Sequence, residues 1–413
     1  MVTSVVTKIP NDERNQQFYA AIESSPGVPA TTGFYRVNGR LDIPVGSPPL
    51  ADSDDVTGTF MSRGTPSRTI RIPSGNFSAP ASYERFPWWA RLAVQSGGTP
   101  DTSVGGVNTY VQVPPLTVDD VNTATVMAGV EGNGFRYTGV RATEFNIAID
   151  VDNTEGSWAL PGTANAGGVD ELPGSEIGVV TSATATTVTV TGAGWTTNEW
   201  EGAFYFADFG SGTGDVRQIV SNTTDTITVS TAFLNMPSSG DPYRIAGMFP
   251  AGAPTLAEEK IANAGTKLWI LPSGRTQTPD NYIKNRIISA NFNISSSLDA
   301  KVFLENAPGT TSGIYGRGAL RISGSVRMEF DRYDELAAMK ALDELHIIAE
   351  QEGNEIDATG TNKSARIEVT RAVWNEQTRD TRNNNLTQTL TFEGYYDPEP
   401  FKITTVNGLS NLD

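Results

Sequence analysis

The chemistry open to this chain is bounded by two counts: in 413 residues there is one histidine, His346, and no cysteine. A Ser-His-Asp triad would have to use His346, which lies in Asp343-Glu344-Leu345-His346-Ile347, and no Gly-x-Ser-x-Gly turn accompanies it. The surrounding pattern makes His346 an ordinary structural residue near a helix end. Without cysteine there are no disulfides, thiolate zinc sites, iron–sulfur clusters or cysteine nucleophiles. A single histidine also excludes histidine metal cages and the His-Glu-x-x-His motif.

Three weaker patterns remain. Asp150-Val151-Asp152-Asn153-Thr154-Glu155-Gly156 is spaced like a calcium loop, but its sixth position is Glu155 instead of Gly and its twelfth is Pro161, so a polar turn is expected. Gly210-Ser211-Gly212-Thr213-Gly214 follows Phe204-Tyr205-Phe206 and precedes the strand-like Val216-Arg217-Gln218-Ile219-Val220. A phosphate cradle needs a helix N-terminus there, so a hairpin turn is expected instead. Paired carboxylates for glycoside hydrolysis are defined by separation in space, and nothing in the spacing favours them. No catalytic residue, metal or cofactor is expected.

The elements that position these residues are mostly strands. Gly and Pro number 41 and 24, and Thr and Ser crowd beside Val and Ile, which is a turn-rich, β-leaning composition. The net charge of −17 repels phosphate and disfavours sequence-reading nucleic-acid binding. No apolar run approaches a membrane span, and Met1 to Arg14 lacks the apolar core of an export signal.

Period-two alternation marks one-face-buried strands. From Phe34 to Ile43 the residues Tyr35, Val37, Leu41 and Ile43 oppose Arg36, Asn38, Arg40 and Asp42. In 286–295 Ile288, Ala290, Phe292 and Ile294 oppose Ser289, Asn291, Asn293 and Ser295, and in 320–330 Leu320, Ile322, Val326, Met328 and Phe330 oppose Arg321, Ser323, Ser325, Arg327 and Glu329. Two helices are expected. One begins near Pro87 with a stripe of Phe86, Trp89, Ala90 and Ala93. The other runs from an Asp331 cap to Leu345, with Leu336, Met339, Leu342 and Leu345 buried.

The order strand, long loop, strand, helix, strands occurs twice, at about 33–150 and 285–405. Short echoes accompany it: Ser62-Arg63-Gly64 before Ile70-Arg71-Ile72-Pro73-Ser74-Gly75 is similar to Gly316-Arg317-Gly318 before Leu320-Arg321-Ile322-Ser323-Gly324. The expected architecture is mainly β: two related β-sandwich or barrel-like domains, 1–160 and 265–413, each with one packed helix, and an inserted small all-β domain at 175–250. That insert has its own repeat, 180–190 against 219–229, and Trp195, Trp200, Phe204, Tyr205, Phe206 and Tyr243 are its expected core. The flanks Leu160 to Gly168 and Phe249 to Pro254 are expected to be linkers.

The entry Ile22-Glu23-Ser24-Ser25-Pro26-Gly27-Val28-Pro29-Ala30, the strand Glu144 to Asp150, the block Leu320 to Phe330 leading into an acidic helix, and the closing Leu386-Thr387-Gln388-Thr389-Leu390-Thr391-Phe392-Glu393-Gly394-Tyr395 resemble tail tube proteins of long, non-contractile-tailed bacteriophages. The resemblance covers both outer domains. It implies a virion structural protein, made in the host cytoplasm, that stacks as rings around a channel for genome ejection. Its implied partners are other copies of itself, a tape-measure protein in the bore, and terminator and tip proteins at the ends. DNA would pass without sequence-specific binding. Two domains per chain imply trimeric rings of pseudo-sixfold symmetry, with hexameric rings as the alternative. Ser289, Asn291, Asn293, Ser295, Arg321, Ser323, Ser325, Arg327, Glu329, Thr387, Thr389, Thr391 and Glu393 are the expected channel lining, and the loops at about 45–66 and 298–318 the expected ring-to-ring contacts. The competing expectation is a secreted or surface-displayed adhesin-like β-protein.

Overall fold

The computed structural model describes residues 17–30, 33–42, 50–51, 67–68, 74–94, 100–114, 122–130, 133–171, 176–201, 203–207, 215–246, 257–272, 275–296, 299–300, 315–316, 320–331, 333–356, 359–395, 400–410 and 412. Of the two long loops expected to join rings, only short ladders are described, Leu50–Ala51 against Ser67–Arg68 and Asp299–Ala300 against Tyr315–Gly316. The rest of both loops, the Ser62-Arg63-Gly64 echo, and the linker Phe249 to Pro254 lie outside the described residues. The protein is mainly β with antiparallel ladders.

The first half contains β1 (Gln17–Ile22), β2 (Arg40–Asp42), β3 (Ser74–Pro80), α1 (Phe86–Val94), β4 (Val107–Gln112), β5 (Ala124–Val130), β6 (Asn133–Asp150), β7 (Ala159–Asn165) and β8 (Gly168–Glu171). Seven strands between 176 and 246 follow: β9 (Glu176–Val179), β10 (Ser182–Ala183), β11 (Thr187–Thr189), β12 (Phe204–Ala207), β13 (Val216–Asn222), β14 (Thr226–Val229) and β15 (Pro242–Ala246). The last part contains β16 (Lys267–Pro272), β17 (Ile287–Ser296), β18 (Leu320–Glu329), α2 (Asp334–Ala341), β19 (Leu345–Glu355), β20 (Asn362–Arg382), β21 (Asn385–Gly394) and β22 (Phe401–Asn407).

The same ladder of pairings occurs in both halves. β2 pairs β3, β3 pairs β7, β7 pairs β6, β6 pairs both β5 and β8, and β5 pairs β1. Likewise β17 pairs β18, β18 pairs β21, β21 pairs β20, β20 pairs both β19 and β22, and β19 pairs β16. Two of the irregularities coincide as well. β6 shifts register against β5 between Tyr137 and Val140, and β20 shifts against β19 between Val369 and Ala372, each 232 positions further on. The bulge at Ala142/Glu144 matches that at Trp374/Glu376 at the same offset. A bulge re-aims every side chain beyond it, so its recurrence at one offset is a stronger sign of duplication than shared alternation. The Ser74-Gly75 and Ser323-Gly324 echo falls at equivalent ladder positions, 249 apart.

The halves join through β6 and β17, paired from Glu144↔Ser295 to Asp150↔Ser289. This creates an eight-stranded sheet in the order β2-β3-β7-β6-β17-β18-β21-β20. The wider strand system is barrel-like, yet no described ladder joins β2 back to β20, so this sheet has two edges within one chain. Its apolar face carries Phe77, Phe145, Ile147, Phe292, Ile294, Ile322, Val326, Leu390 and Phe392 into a core that runs across both halves.

Helix α1 plugs the first half of that core. All nine of its residues are buried, where a single stripe was expected. Trp89 stacks on Phe77 at 4.8 Å between ring centroids and meets Trp88 edge-on at 4.9 Å. Helix α2 differs from expectation more sharply: it stops at Ala341, has no buried residue, and its cap is Tyr333 with no side-chain bond. Leu342 takes a left-handed conformation at φ 55° and is 70% exposed, while Leu345 and His346 already belong to β19. Asp331, expected as the cap, instead pairs with Arg286.

The 176–246 strands form a separate sheet, β9-β15-β12-β13-β14-β11-β10, over their own core. Trp195, Trp200, Tyr205 and Tyr243 are buried in it as expected. Phe204 and Phe206 are only half-buried, because alternation along β12 turns them away when Tyr205 points in; the Arg244 guanidinium covers Phe206 at 4.5 Å. The internal repeat places β11 beside β14, with Val188 opposite Ile227, and repeats a hairpin in which the Thr187 and Thr226 amides donate to the Thr184 and Thr223 hydroxyls. The Gly210 to Gly214 turn is outside the described residues, but the strands flanking it pair antiparallel. The segment from Leu160 is not a linker: Ala159–Asn165 is β7, inside the eight-stranded sheet, and the first ladder extends to Glu171.

Candidate functional site

The polar residues singled out in β17, β18 and β21 meet on one face of adjacent strands. Directly opposed residues of a ladder share a face, and the rows are Ser289–Arg327–Thr389, Asn291–Ser325–Thr391 and Asn293–Ser323–Glu393, with Ser295–Arg321 and Glu329–Thr387 at the ends. Twelve of the thirteen are partly or fully exposed; Thr387 is the exception, at 1%. The duplication extends the face to residues not singled out from sequence. Across the central join stand Glu144, Asn146, Ala148 and Asp150, then Thr163 on β7, Asn76 and Ser78 on β3, and Arg40 and Asp42 on β2. At the far side stand Glu376, Thr378, Asp380 and Arg382 on β20. The alternation of Asn146, Ala148 and Asp150 with Phe145, Ile147 and Ile149 was the available signal.

Charge on this face is acidic. Its carboxylates are Asp42, Glu144, Asp150, Glu329, Glu376, Asp380 and Glu393, and its guanidiniums are Arg40, Arg321, Arg327 and Arg382, seven against four, a net of −3. Three of the four cations face acids of the same chain: Arg327 meets Asp380 at 3.3 Å, Arg40 meets Asp42 at 3.9 Å, and Arg382 pairs with Asp152. Asn293 donates to Glu144 across the join at 2.8 Å. The surface is thus made of short hydroxyls and amides with acids in excess, and it offers little to hold a polyanion.

Several other described ionisable groups are knit into the fold. The Glu23 carboxylate accepts from the Thr123 and Thr125 hydroxyls and the Gly27 and Gly139 amides at 2.6–2.8 Å. Lys363 sits between Glu84 and Glu259 at 2.7 and 3.1 Å. His346 Nε2 lies 2.7 Å from Glu368. That contact, with Arg366 and Lys402 nearby, holds the Glu368 carboxyl down at about 2 against the opposing effect of burial. In the calcium-like turn, the Asp150 and Asn153 side chains accept from the amides of Asp152 and Glu155, as a polar turn does. Among the described residues no three acidic or histidine side chains gather as a metal group, and no described helix is long and apolar enough to cross a membrane. No protein-family model matches the chain, and no curated protein matches it.

Proposed function

We propose that this chain is a tail tube protein: copies join side by side into rings that stack around a bore through which genomic DNA leaves a phage capsid. The observation that carries the reading is the eight-stranded sheet, apolar and core-backed on one face, polar and net acidic on the other, and, among the described residues, unpaired at both edges. A one-chain protein gains nothing from two open edges, which invite pairing with any exposed strand. A ring uses both. Each chain carries the ladder twice, so three chains supply six equivalent units in a circle, and an arrangement of six chains is the alternative.

The polar face then lines the bore. Moving DNA is best served by a wall that makes few phosphate contacts, since each Lys or Arg contact releases counterions and adds affinity. A net of −3 per chain repels the passing duplex, while hydroxyls and amides keep the wall wet. Before ejection the same bore would hold a tape-measure protein, with terminator and tip proteins closing the ends, and the virion would be where the protein acts. The self-contained 176–246 unit falls between the two ladders and interrupts neither, so it belongs outside the ring wall.

Particles carrying Asn291→Lys, Ser323→Lys and Thr389→Lys, three positions in different rows of the face, test the assignment. They bring the face from −3 to about neutral. Tubes of normal length with slowed or blocked DNA ejection are expected. Normal ejection from such particles would contradict the bore assignment.

A further inference from the structure

The duplication supplies a template for the join between chains. Inside the chain, β17 of the second half lies against the outer part of β6 of the first. The equivalents of those strands are β2, at one edge of the sheet, and the outer part of β20, at the other. Equivalence is fixed residue by residue. Arg40, Leu41 and Asp42 oppose Ser78, Phe77 and Asn76 as Ser289, Ala290 and Asn291 oppose Arg327, Val326 and Ser325. On the other side Ala148, Ile149 and Asp150 correspond to Asp380, Thr381 and Arg382 at the 232 offset set by the two shared bulges.

We infer that β2 of one copy pairs antiparallel with the outer end of β20 of the next, in the register Arg40↔Arg382, Leu41↔Thr381 and Asp42↔Asp380. The ring rests on the tube reading above, whereas the pairing of these two edges rests on the ladders alone. The in-chain counterpart is Ser289↔Asp150, Ala290↔Ile149 and Asn291↔Ala148.

Three features of the two edges fit this register. The first is hydrogen-bond phase. Asn383 and Asn384 take φ 49° and 66° in a two-residue turn between Arg382 and Asn385, the geometry of a type I′ hairpin, so Arg382 spends its amide and carbonyl on β21. Thr381 therefore presents its own outward, where in the single chain the Asp380 carboxylate accepts from its amide at 2.7 Å, a contact that pairing with Leu41 replaces. At the template join the Val151 amide donates to Ile288, which makes Asp150/Ser289 a non-hydrogen-bonded site and Ile149/Ala290 a bonded one. The turn and the template join have the same phase: Leu41 and Thr381 exchange the hydrogen bonds, and the Arg pair flanks them.

The second feature is charge. Arg40 stands straight across from Arg382 and Asp42 straight across from Asp380, two like pairs of opposite sign that offset each other. Asp380 lies on the diagonal from Arg40 and Asp42 on the diagonal from Arg382, while within the chain Arg40 meets Asp42, Arg382 meets Asp152 and Asp380 meets Arg327. The third is space. A cavity of about 720 Å³ opens beside β2, lined by Arg36, Asn38, Arg40, Asn153, Glu155 and Lys260 among others. It has room and polar groups for the incoming Asn383-Asn384 tip.

The absence of native cysteine makes the test direct. A non-hydrogen-bonded antiparallel pair brings Cα atoms to about 4.5 Å, within disulfide range, whereas a partner two residues away lies at about 7–8 Å, beyond it. Arg40→Cys with Arg382→Cys should, on mild oxidation at assembling concentration, give covalent dimers and closed trimers. Arg40→Cys with Asp380→Cys should give about tenfold less. Mixing the two single variants R40C and R382C should stop at heterodimers, which proves that the bond is between chains. A stronger bond from the Asp380 pair would overturn the register. Tubes or rings seen by electron microscopy without a bond from either pair would overturn the edge pairing and leave the tube reading standing. A protein that neither assembles nor cross-links would overturn both, and covalent trimers that never stack would uphold the pairing against the tube.

Discussion

Gly324 sets how closely two strands of the central sheet approach. A Cβ there would sit 2.1 Å from the Asn291 carbonyl oxygen and 2.5 Å from the Phe392 ring, so Gly324→Ala forces backbone and a core ring apart. We expect about 1–3 kcal/mol of destabilisation, read as a lower urea midpoint with an unchanged slope. Glu368 governs a different property. Its folded-state carboxyl is depressed to about 2 from an ordinary 4.5, chiefly by the hydrogen bond from His346. Its contribution is therefore complete above about pH 4.5 and is lost as pH falls toward 2. Glu368→Gln should make stability less steep in pH across that window, and an acid profile in urea titrations identical to that of the parent would show that Glu368 does not govern it. At this scale the sequence was legible where side chains alternate: the faces of β17, β18 and β21 follow from period two alone. Thr387 was not, since its burial depends on what packs over it and not on its position in the pattern.

At the scale of elements, legibility failed where a residue's missing side chain is part of the packing. β7 looked like a linker because Pro161, Gly162 and several Ala carry no strand signal. Yet a Cβ on Gly162 would sit 2.4 Å from the ring of Phe77, so the glycine is the space that Phe77 fills. The spacing of Leu336, Met339 and Leu342 is helical, but Leu342 sits at the left-handed end of α2, where its amide closes the last turn, so the stripe is cut short: Met339 packs half-buried against the core and Leu342 is exposed. The duplication was only glimpsed in short echoes because few equivalent residues are identical: what recurs is where ladders bulge, as at Tyr137/Val140 and Val369/Ala372. The 176–246 unit, by contrast, was separable from its texture and has its own core. Replacing residues 175–250 with a short Gly/Ser linker should leave a folded chain that still assembles. The segment from Glu258 must stay, because Glu258 pairs with Arg85 at 3.3 Å and the Tyr83 amide donates to Glu259. A folded, soluble deletion variant that forms no assemblies would show that the unit makes ring or stacking contacts.

For the whole molecule, two copies of one ladder share a core and a sheet, and the sheet ends in two unlike edges. A join between unlike edges is head to tail, and such joins give a closed ring when the rotation per chain divides the circle and an open filament when it does not. Three chains of eight strands would close a polar-lined wall with six repeats of the ladder, abolishing the bare edges that one chain leaves. In the tube reading, the duplicated ladder fixes the number of chains in a ring at three. Class averages of assemblies from the concentrated protein, with chains counted per ring, test it most directly. Hollow stacked rings of three chains with six similar lobes are the expected result; rings of six chains, or dispersed monomers at every concentration, would contradict it.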